Sequence, residues 1–293
     1  MRRWLLIGLV LGVGMAAYWA VEMRWPAPAL AAPPQAAAQP KAPAAGAAGL
    51  LPALSLADLV AGKLKIVDLT WPINAKSAFW PGDNYKPFAL ETIATLDKDG
   101  VLSKAFSMPE HLGTHLDAPN HFAADGIAVD QIPPEKLFAP GAVIDVAPAV
   151  STDPDYLVSV DDVRRFERIH GRIPDGAVVL AYTGWSQYWG NHDRYQGRDA
   201  MGRLHFPGFS PEAVKLLVEE RDVRGVGLDT MSTDRGLSRD FAVHHVLGKA
   251  GRYGLENLAR LKTLPPKGFY LVVAPIKIET GSGGPTRVFA ILP

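Results

Sequence analysis

The sequence has no cysteine and no excess of either charge. Its 293 residues include 30 Lys and Arg against 30 Asp and Glu. The lack of cysteine excludes a disulfide framework, an iron–sulfur cluster and a zinc site built from thiolates. Balanced charge gives no general attraction to nucleic acid or anionic lipid, so no nucleic-acid partner is predicted. A hydrophobic content of 48% is too high for a disordered chain and indicates a globular protein.

An apolar run follows two arginines at the N-terminus. Residues 4–21 carry no charge, and Arg2 and Arg3 precede them, which is typical of an export signal. An A-x-A cleavage site ends at Ala31, so residues 1–31 are predicted to be a signal peptide or an uncleaved N-terminal membrane anchor. In both cases the main body is exported to the periplasm or secreted, and only this segment would contact a membrane.

The next segment, residues 32–50, is mostly Ala and Pro and has no apolar period, which predicts a semi-rigid linker. The folded domain is therefore predicted at residues 51–293. In that range strand patterns mix with few helices, and many connections contain Gly or Pro. This pattern predicts the α/β or α+β class, and α/β is preferred: a single domain of mixed sheet with few helices and substantial antiparallel pairing.

Local signals place the individual elements. Ser55, Ser159 and Ser210 are typical helix caps, and an Asp-Gly pair at residues 99–100 favours a hairpin turn. The glycine-rich residues 281–284 lack the Lys and following helix of a phosphate loop and predict a turn. Helices are predicted at residues 54–63, 159–170, 210–220 and 241–250, and strands at residues 65–69, 88–96, 101–107, 141–146, 177–183, 225–229, 270–278 and 286–292.

One short segment concentrates residues that can bind a metal. His111, His115, Asp117 and His121 fall within eleven positions and have the same parity, so they would share one face of an extended chain. On a straight strand His111 and His115 would lie ~13 Å apart, too far for two ligands that each lie ~2.1 Å from one metal. We therefore expect the chain to bend at Gly113, which tolerates unusual backbone conformations.

The chemistry of this segment is coherent. Imidazole and carboxylate suit Zn²⁺, Mn²⁺ or Fe²⁺, and the lack of thiolate leaves the choice among them open. A metal with free positions can lower the pKa of water to about 7. A histidine that does not bind the metal can then move protons, since its reference pKa is ~6.5. No serine lies in a recognisable nucleophile pattern, so metal-activated water is favoured.

The run from His111 to Phe122 resembles the H-x-G-T-H-x-D-x-P-x-H motif of the cyclase family of metal-dependent hydrolases. That family includes bacterial kynurenine formamidases and isatin hydrolases. The resemblance covers about residues 64–292 and implies a swivelling β/β/α fold, usually in a homodimer or larger homo-oligomer. Three further segments are similar to family patterns: Trp80 to Asp83 with a P-G-D turn, Asp229 to Asp234 with D-T-x-S-x-D, and His244 with Glu256 as an H…E-N-L pair.

The resemblance also implies roles for individual residues. His121 would be the general base or acid. The cofactor would be one or two Mn²⁺ or Zn²⁺ ions. Only the spacing to Glu256 favours His244 over His245, and Glu256 could instead be an acid at a helix start. The implied ligands are His111, His115 and Asp117 for the first ion, with Asp117 bridging to a second ion held by His244 and Glu256.

Three residues are candidates for substrate contacts. Trp80 could form a pocket wall for an aromatic substrate or simply pack in the core. Thr230 and Ser232 could present their hydroxyl groups to the substrate. Asp229 and Asp234 are predicted to be structural, since such aspartates usually bond nearby backbone.

The resulting hypothesis is an exported metal-dependent amidohydrolase. It would cleave a carbon–nitrogen bond of a small amide, formamide or lactam by metal-activated water, with His121 moving the proton. One alternative is hydrolysis of an ester or lactone by the same site. A second alternative is an exported protein that binds a metal or a small ligand without turnover.

Overall fold

The computed structural model describes residues 54–293, and the predicted signal or anchor at residues 1–31 and linker at residues 32–50 lie outside them. Within the described range, no helix is both long and apolar enough to cross a membrane. The helices are α1 (Leu56–Val60), α2 (Leu96–Asp99), α3 (Ala147–Val150), α4 (Val160–His170), α5 (His192–Gln196), α6 (Pro211–Arg221) and α7 (Ala242–Lys249). The strands are β1 (Lys65–Asp68), β2 (Ala89–Ala94), β3 (Ser103–Ser107), β4 (His115–Asp117), β5 (Phe138–Asp145), β6 (Leu157–Val158), β7 (Val178–Tyr182), β8 (Gly208–Phe209), β9 (Gly225–Leu228), β10 (Tyr253–Glu256), β11 (Lys267–Pro275) and β12 (Gly283–Leu292).

Eight of the strands form one sheet that closes on itself. Their order is β1-β12-β11-β5-β7-β9-β10-β4, and β4 also pairs with β12, which closes the seven strands from β12 to β4 into a barrel-like ring with β1 beside β12. The run β5-β7-β9-β10 is parallel, and the other pairs are antiparallel. The predicted class, a mixed α/β domain with few helices and much antiparallel pairing, is confirmed.

Strand β7 lies between two hydrophobic cores. Val178 and Leu180 pack with other residues of the ring strands, whereas Val179 and Ala181 pack on the opposite face with residues of α4 and α6. Alternate residues of a strand point to opposite faces, so both sets are buried. This burial explains why residues 177–182 read as an unbroken apolar run rather than an alternating one.

The predicted helix starts are confirmed. The Ser159 hydroxyl accepts a hydrogen bond from the Asp162 backbone, and the Asp162 carboxylate accepts one from the Ser159 backbone, which forms a capping box for α4. Ser55 caps α1 and Ser210 caps α6 in the same way through their hydroxyls. These bonds satisfy backbone N–H groups that have no partner within the helix.

The structure differs from the sequence predictions in several short elements. The hairpin predicted at residues 88–107 forms from β2 and β3, but the turn predicted at residues 97–100 is replaced by the single helical turn α2, which Gly100 ends at φ +68°. Strand β12 begins at Gly283, inside the segment predicted as a turn, and β10 was not predicted. Strand β10 pairs with β4 and β9, and the first three residues of β12 pair with β4, so the extent of both depends on distant segments rather than on local sequence.

Candidate metal centre

Strand β4 lies at the centre of the site. It carries His115 and Asp117, and its antiparallel register with β10 places His115 directly opposite Glu256. Directly opposite residues of an antiparallel pair present their side chains on the same face. As a result, His115 Nε2 lies 3.2 Å from Asp117 Oδ1 and 3.3 Å from Glu256 Oε2.

A bend at Gly113 brings a further imidazole to this pair. Gly113 has φ +67°, in the left-handed region that glycine adopts without steric cost. His111 Nδ1 then lies 2.7 Å from Asp117 Oδ1, and its ring centroid is 5.2 Å from that of His115. The prediction that the chain bends at Gly113 is confirmed.

Replacing Gly113 by Ala tests the importance of this bend. The left-handed conformation costs a residue with a Cβ about 1–2 kcal/mol, so Gly113→Ala should lower the free energy of unfolding by that amount in urea denaturation. It should also weaken metal binding, because the strain is relieved by moving His111 away from His115. Gly100→Ala is the matched control, since Gly100 has φ +68° and no heavy atom within 4 Å of an added Cβ. Unchanged stability and metal affinity in Gly113→Ala would contradict the role of the bend.

Helix α7 contributes His244 from the other side. His244 Nε2 lies 3.2 Å from Glu256 Oε1 and 3.5 Å from Asp117 Oδ2. The carboxylate of Asp234 accepts hydrogen bonds from the backbone N–H groups of Val243 and His244 and from His244 Nδ1. The neighbouring His245 is exposed and bonds the carbonyl of Phe122 instead. Asp234 thus bonds nearby backbone as predicted and, in addition, orients an imidazole.

The imidazoles of His111, His115 and His244 each form a hydrogen bond through the ring nitrogen that faces away from Asp117 and Glu256, here called the outer nitrogen. His115 Nδ1 donates to the carbonyl of Gly113 at 2.9 Å, and His244 Nδ1 donates to Asp234 at 2.6 Å. His111 Nε2 lies 3.0 Å from the hydroxyl of Ser282. A neutral imidazole carries one N–H, so each ring that donates outwards directs a bare nitrogen towards the carboxylates.

The charges of the cluster favour a bound cation. Burial would by itself raise the pKa of Asp117, but the imidazoles of His115, His111 and His244 hold it well below its usual range. Burial would lower the pKa of His115, but the Asp117 and Glu256 carboxylates raise it to about 10. Without another positive charge, these carboxylates therefore keep His115 protonated at neutral pH.

The donor atoms fit divalent cations. Among the described residues, His115 Nε2 and Asp117 Oδ2 have no hydrogen-bond partner, although both atoms are buried. Buried polar atoms normally have partners, so two orphaned atoms within one cluster of ligand-type side chains fit a bound ion. Nitrogen and oxygen donors without thiolate suit metals such as Zn²⁺ or Mn²⁺. Two overlapping groups have their donor atoms within 4.8 Å of one another: His111, His115 and Asp117, and Asp117, His244 and Glu256.

Glu256 is the last residue of β10, so the alternative that it begins a helix is wrong. The strand places its carboxylate opposite His115, and the backbone N–H of Thr233 donates to Glu256 Oε1 at 2.8 Å. His244 and Glu256 therefore lie on different elements.

His121 lies on a short 3₁₀ turn directly after β4. Its ring stacks on that of His111 with centroids 4.0 Å apart, and its centroid is 5.8 Å from that of His244. Burial and the neighbouring imidazoles together lower the pKa of His121 to about 3 despite the nearby Asp117 carboxylate. His121 is therefore neutral at pH 7.

A cavity of about 270 Å³ opens onto these side chains. One wall is aromatic, and Trp80 belongs to it while also packing edge-on against Phe206 and Phe241. Trp80 thus combines the two roles considered for it, since it lines the cavity and packs against the core. The residues around the cavity that lie outside the cluster are Phe79, Trp80, Tyr85, Phe122, Met231, Ser232, Phe241 and Asn257.

The two hydroxyl candidates differ in position. Ser232 lines the cavity, whereas Thr230 is fully buried and donates its hydroxyl to the carbonyl of Ser232. From this position Thr230 stabilises the backbone next to the cavity and does not contact a substrate directly. Asp229 accepts hydrogen bonds from the backbone and hydroxyl groups of Thr183 and Ser186, in agreement with a structural role.

Several cavity residues were not predicted. Phe79 and Phe241 lie in segments with no recognisable motif, and Phe122 ends the histidine motif, which implies no role for it. Glu110 and Ser282, which adjoin His111, were also missed. Glu110 directly precedes the motif, but no local pattern relates it to Ser282.

Comparison with known proteins identifies relatives of this arrangement. A family model described as a putative cyclase matches residues 67–235. An isatin hydrolase from Roseibium aggregatum is 33% identical over 253 residues, which cover 81% of this chain and 95% of the relative. A kynurenine formamidase from Salinibacter ruber is 28% identical over 225 residues, covering 76% of this chain and 96% of the relative.

Solved structures show the same fold. Isatin hydrolase A from Ralstonia solanacearum has a TM-score of 0.77 and 38% identity, covering 81% of this chain and 95% of that one. An isatin hydrolase bound to the product analogue thioisatinate has a TM-score of 0.76 and 32% identity, with coverage of 81% and 95%. The fold implied by the sequence resemblance is therefore confirmed.

Proposed function

The chain belongs to the cyclase family of metal-dependent hydrolases, and from this membership we propose that it hydrolyses a carbon–nitrogen bond of a small amide, formamide or lactam. Its relatives include an isatin hydrolase and a kynurenine formamidase, both hydrolases of amide bonds. The observation that carries the proposal is the convergence of three outward-bonded imidazoles on two buried carboxylates beside a neutral fourth histidine.

In this proposal His111, His115 and Asp117 hold a divalent cation, either Mn²⁺ or Zn²⁺. Asp117 is shared with a second group, completed by His244 and Glu256, that can hold another ion. When bound, such a cation polarises a carbonyl oxygen and lowers the pKa of water.

His121 moves the proton in the proposed reaction. Its neutral ring accepts a proton from the attacking water at a ring nitrogen and returns it to the leaving nitrogen of the substrate. The ring lines the cavity and is fixed by stacking on His111, which keeps it beside any bound substrate.

The cavity walls favour a substrate with an aromatic ring. Phe79, Trp80, Phe122 and Phe241 line the cavity, and flat rings pack well against such side chains. A volume of about 270 Å³ suits a small molecule with one compact ring system. The hydroxyl of Ser232 is a polar group in the same cavity that can orient the substrate.

Removal of the metal should abolish the activity of the full chain. After treatment with a strong chelator, hydrolysis of aryl formamides and aryl lactams should fall at least about 100-fold and return with Mn²⁺ or Zn²⁺. A substrate panel that also contains aryl esters and lactones separates the alternatives. Turnover of esters alone would favour the esterase alternative, and metal binding without turnover of any compound would favour a binding protein.

The homodimer implied by the family resemblance and the export of the main body are further proposals. The hairpin of β2 and β3 exposes several large apolar side chains, which supports an interface between copies of the chain. These side chains are Leu90, Ile93, Leu96, Val101, Leu102 and Phe106.

A further inference from the structure

Ser282 lies between His111 and a carboxylate outside the ligand cluster. Its hydroxyl is 2.6 Å from Glu110 Oε2 and 3.0 Å from His111 Nε2. The backbone N–H of Ser282 also donates to Glu110 Oε2, at 3.0 Å. Glu110 thus accepts two hydrogen bonds from one residue, and that residue touches a candidate metal ligand.

The hydrogen atoms between Glu110, Ser282 and His111 can be assigned by counting donors and acceptors. A serine hydroxyl has one hydrogen, and an ionised carboxylate can only accept. The hydroxyl hydrogen of Ser282 therefore goes to Glu110, and its oxygen is left to accept from His111. A neutral His111 then carries its proton on Nε2, and its Nδ1, 2.7 Å from Asp117 Oδ1, is left without a hydrogen, as a metal ligand requires.

The backbone holds Ser282 in this place. Gly283, the next residue, pairs with Asp117 across the ladder between β12 and β4. A Cβ at Gly283 would lie 2.4 Å from the carbonyl oxygen of Leu116 and 2.7 Å from His111 Cε1, so only glycine allows so close an approach. The carbonyl of Ser282 also accepts a hydrogen bond from the Ala118 backbone. The position of the hydroxyl is therefore set by the sheet.

We propose that Glu110 and Ser282 are positioning residues that fix the tautomer of His111 and strengthen it as a metal ligand through Nδ1. The inference rests on the proposed function, because it requires His111 to bind the metal. Partners of this kind orient metal-binding imidazoles and raise their basicity. The other two imidazoles bond directly to a backbone carbonyl and to a carboxylate, whereas His111 reaches its carboxylate through a hydroxyl.

A double-mutant cycle on the full chain tests the proposal. Zn²⁺ affinity is measured by competition with a chromophoric chelator for the wild type, Ser282→Ala, Glu110→Gln and the double variant. Ser282→Ala should weaken Zn²⁺ binding about 10- to 100-fold, and Glu110→Gln should weaken it less. Since Glu110 acts only through Ser282, Glu110→Gln should have no further effect in the Ser282→Ala background. Glu91→Gln, the same change on the exposed strand β2, is the control and should leave the affinity unchanged.

Nitrogen-15 NMR of the histidine rings gives an independent result. In the Zn²⁺-loaded wild type, His111 should show a proton on Nε2 and the metal on Nδ1. Thermal unfolding of the metal-free variants shows whether each is folded. If Ser282→Ala is not folded, Glu110→Gln still tests the proposal, because Glu110 lies at the edge of the site. A wild type that binds no Zn²⁺ would overturn the proposed function itself. A wild type that binds Zn²⁺ as tightly as both variants, or through Nε2 of His111, would overturn only the positioning role.

Discussion

Asp117→Asn is expected to release the metal and to lower kcat/KM at least about 10³-fold, the largest effect of any single isosteric change in the chain. Asp117 is the only residue common to both candidate ligand groups. The amide has nearly the same size as the carboxylate, but it lacks the negative charge, and its NH₂ group is a poor metal ligand. The loss would therefore affect both groups at once rather than one of them.

Metal analysis of the purified variant measures this directly. His115→Ala is a second variant with the same expectation, because His115 Nε2 lies close to both carboxylates. Asp175→Asn serves as the control, since Asp175 is exposed and forms only a surface ion pair with Arg172. Full metal occupancy in Asp117→Asn or His115→Ala would mean that the ligand assignment is wrong.

His121→Ala should have the second largest effect, with a different signature. We expect kcat to fall about 10²- to 10⁴-fold, the usual contribution of a general acid or base, while the metal content stays at the wild-type level. His121 stacks on His111 but belongs to neither ligand group, so its loss removes proton transfer without removing a ligand.

Kinetics and metal analysis must be combined to interpret this variant. His170→Ala is the matched control, because His170 lies at the end of α4 and outside the cavity. Loss of metal from His121→Ala would place His121 among the ligands. Wild-type turnover with the metal retained would show that another group moves the proton.

The sequence predicts the centre of the site well because its residues are close together in the chain. The parity of His111, His115 and Asp117 and the flexibility of Gly113 require only local geometry. The three side chains do converge, and the bend occurs where glycine permits it. The helix caps are predicted for the same reason, since a cap bonds a backbone group within three residues.

The parts of the site that depend on long-range contacts were harder to predict from the sequence. Strand β10 has only four residues and takes its register from β4 and β9, so nothing local identifies Glu256 as the end of a strand. The spacing of the family's H…E-N-L pair indicated His244 and Glu256 as ligands, but it did not indicate which elements bring them together. The pairing of Glu110 with Ser282 depends on the ladder between β4 and β12, which sequence patterning did not predict.

The three-residue strand β4 also determines when in folding the candidate metal groups can form. Both neighbours of β4 come from the last part of the chain, where His244 and Glu256 also lie, so the second group is assembled only after the C-terminal strands have docked. If the chain is exported as proposed, and in extended form, this group would be empty during passage through the secretion channel. An ion bound there would then come from the pool at the destination, and the metal supply outside the cytoplasm would decide which ion the group carries.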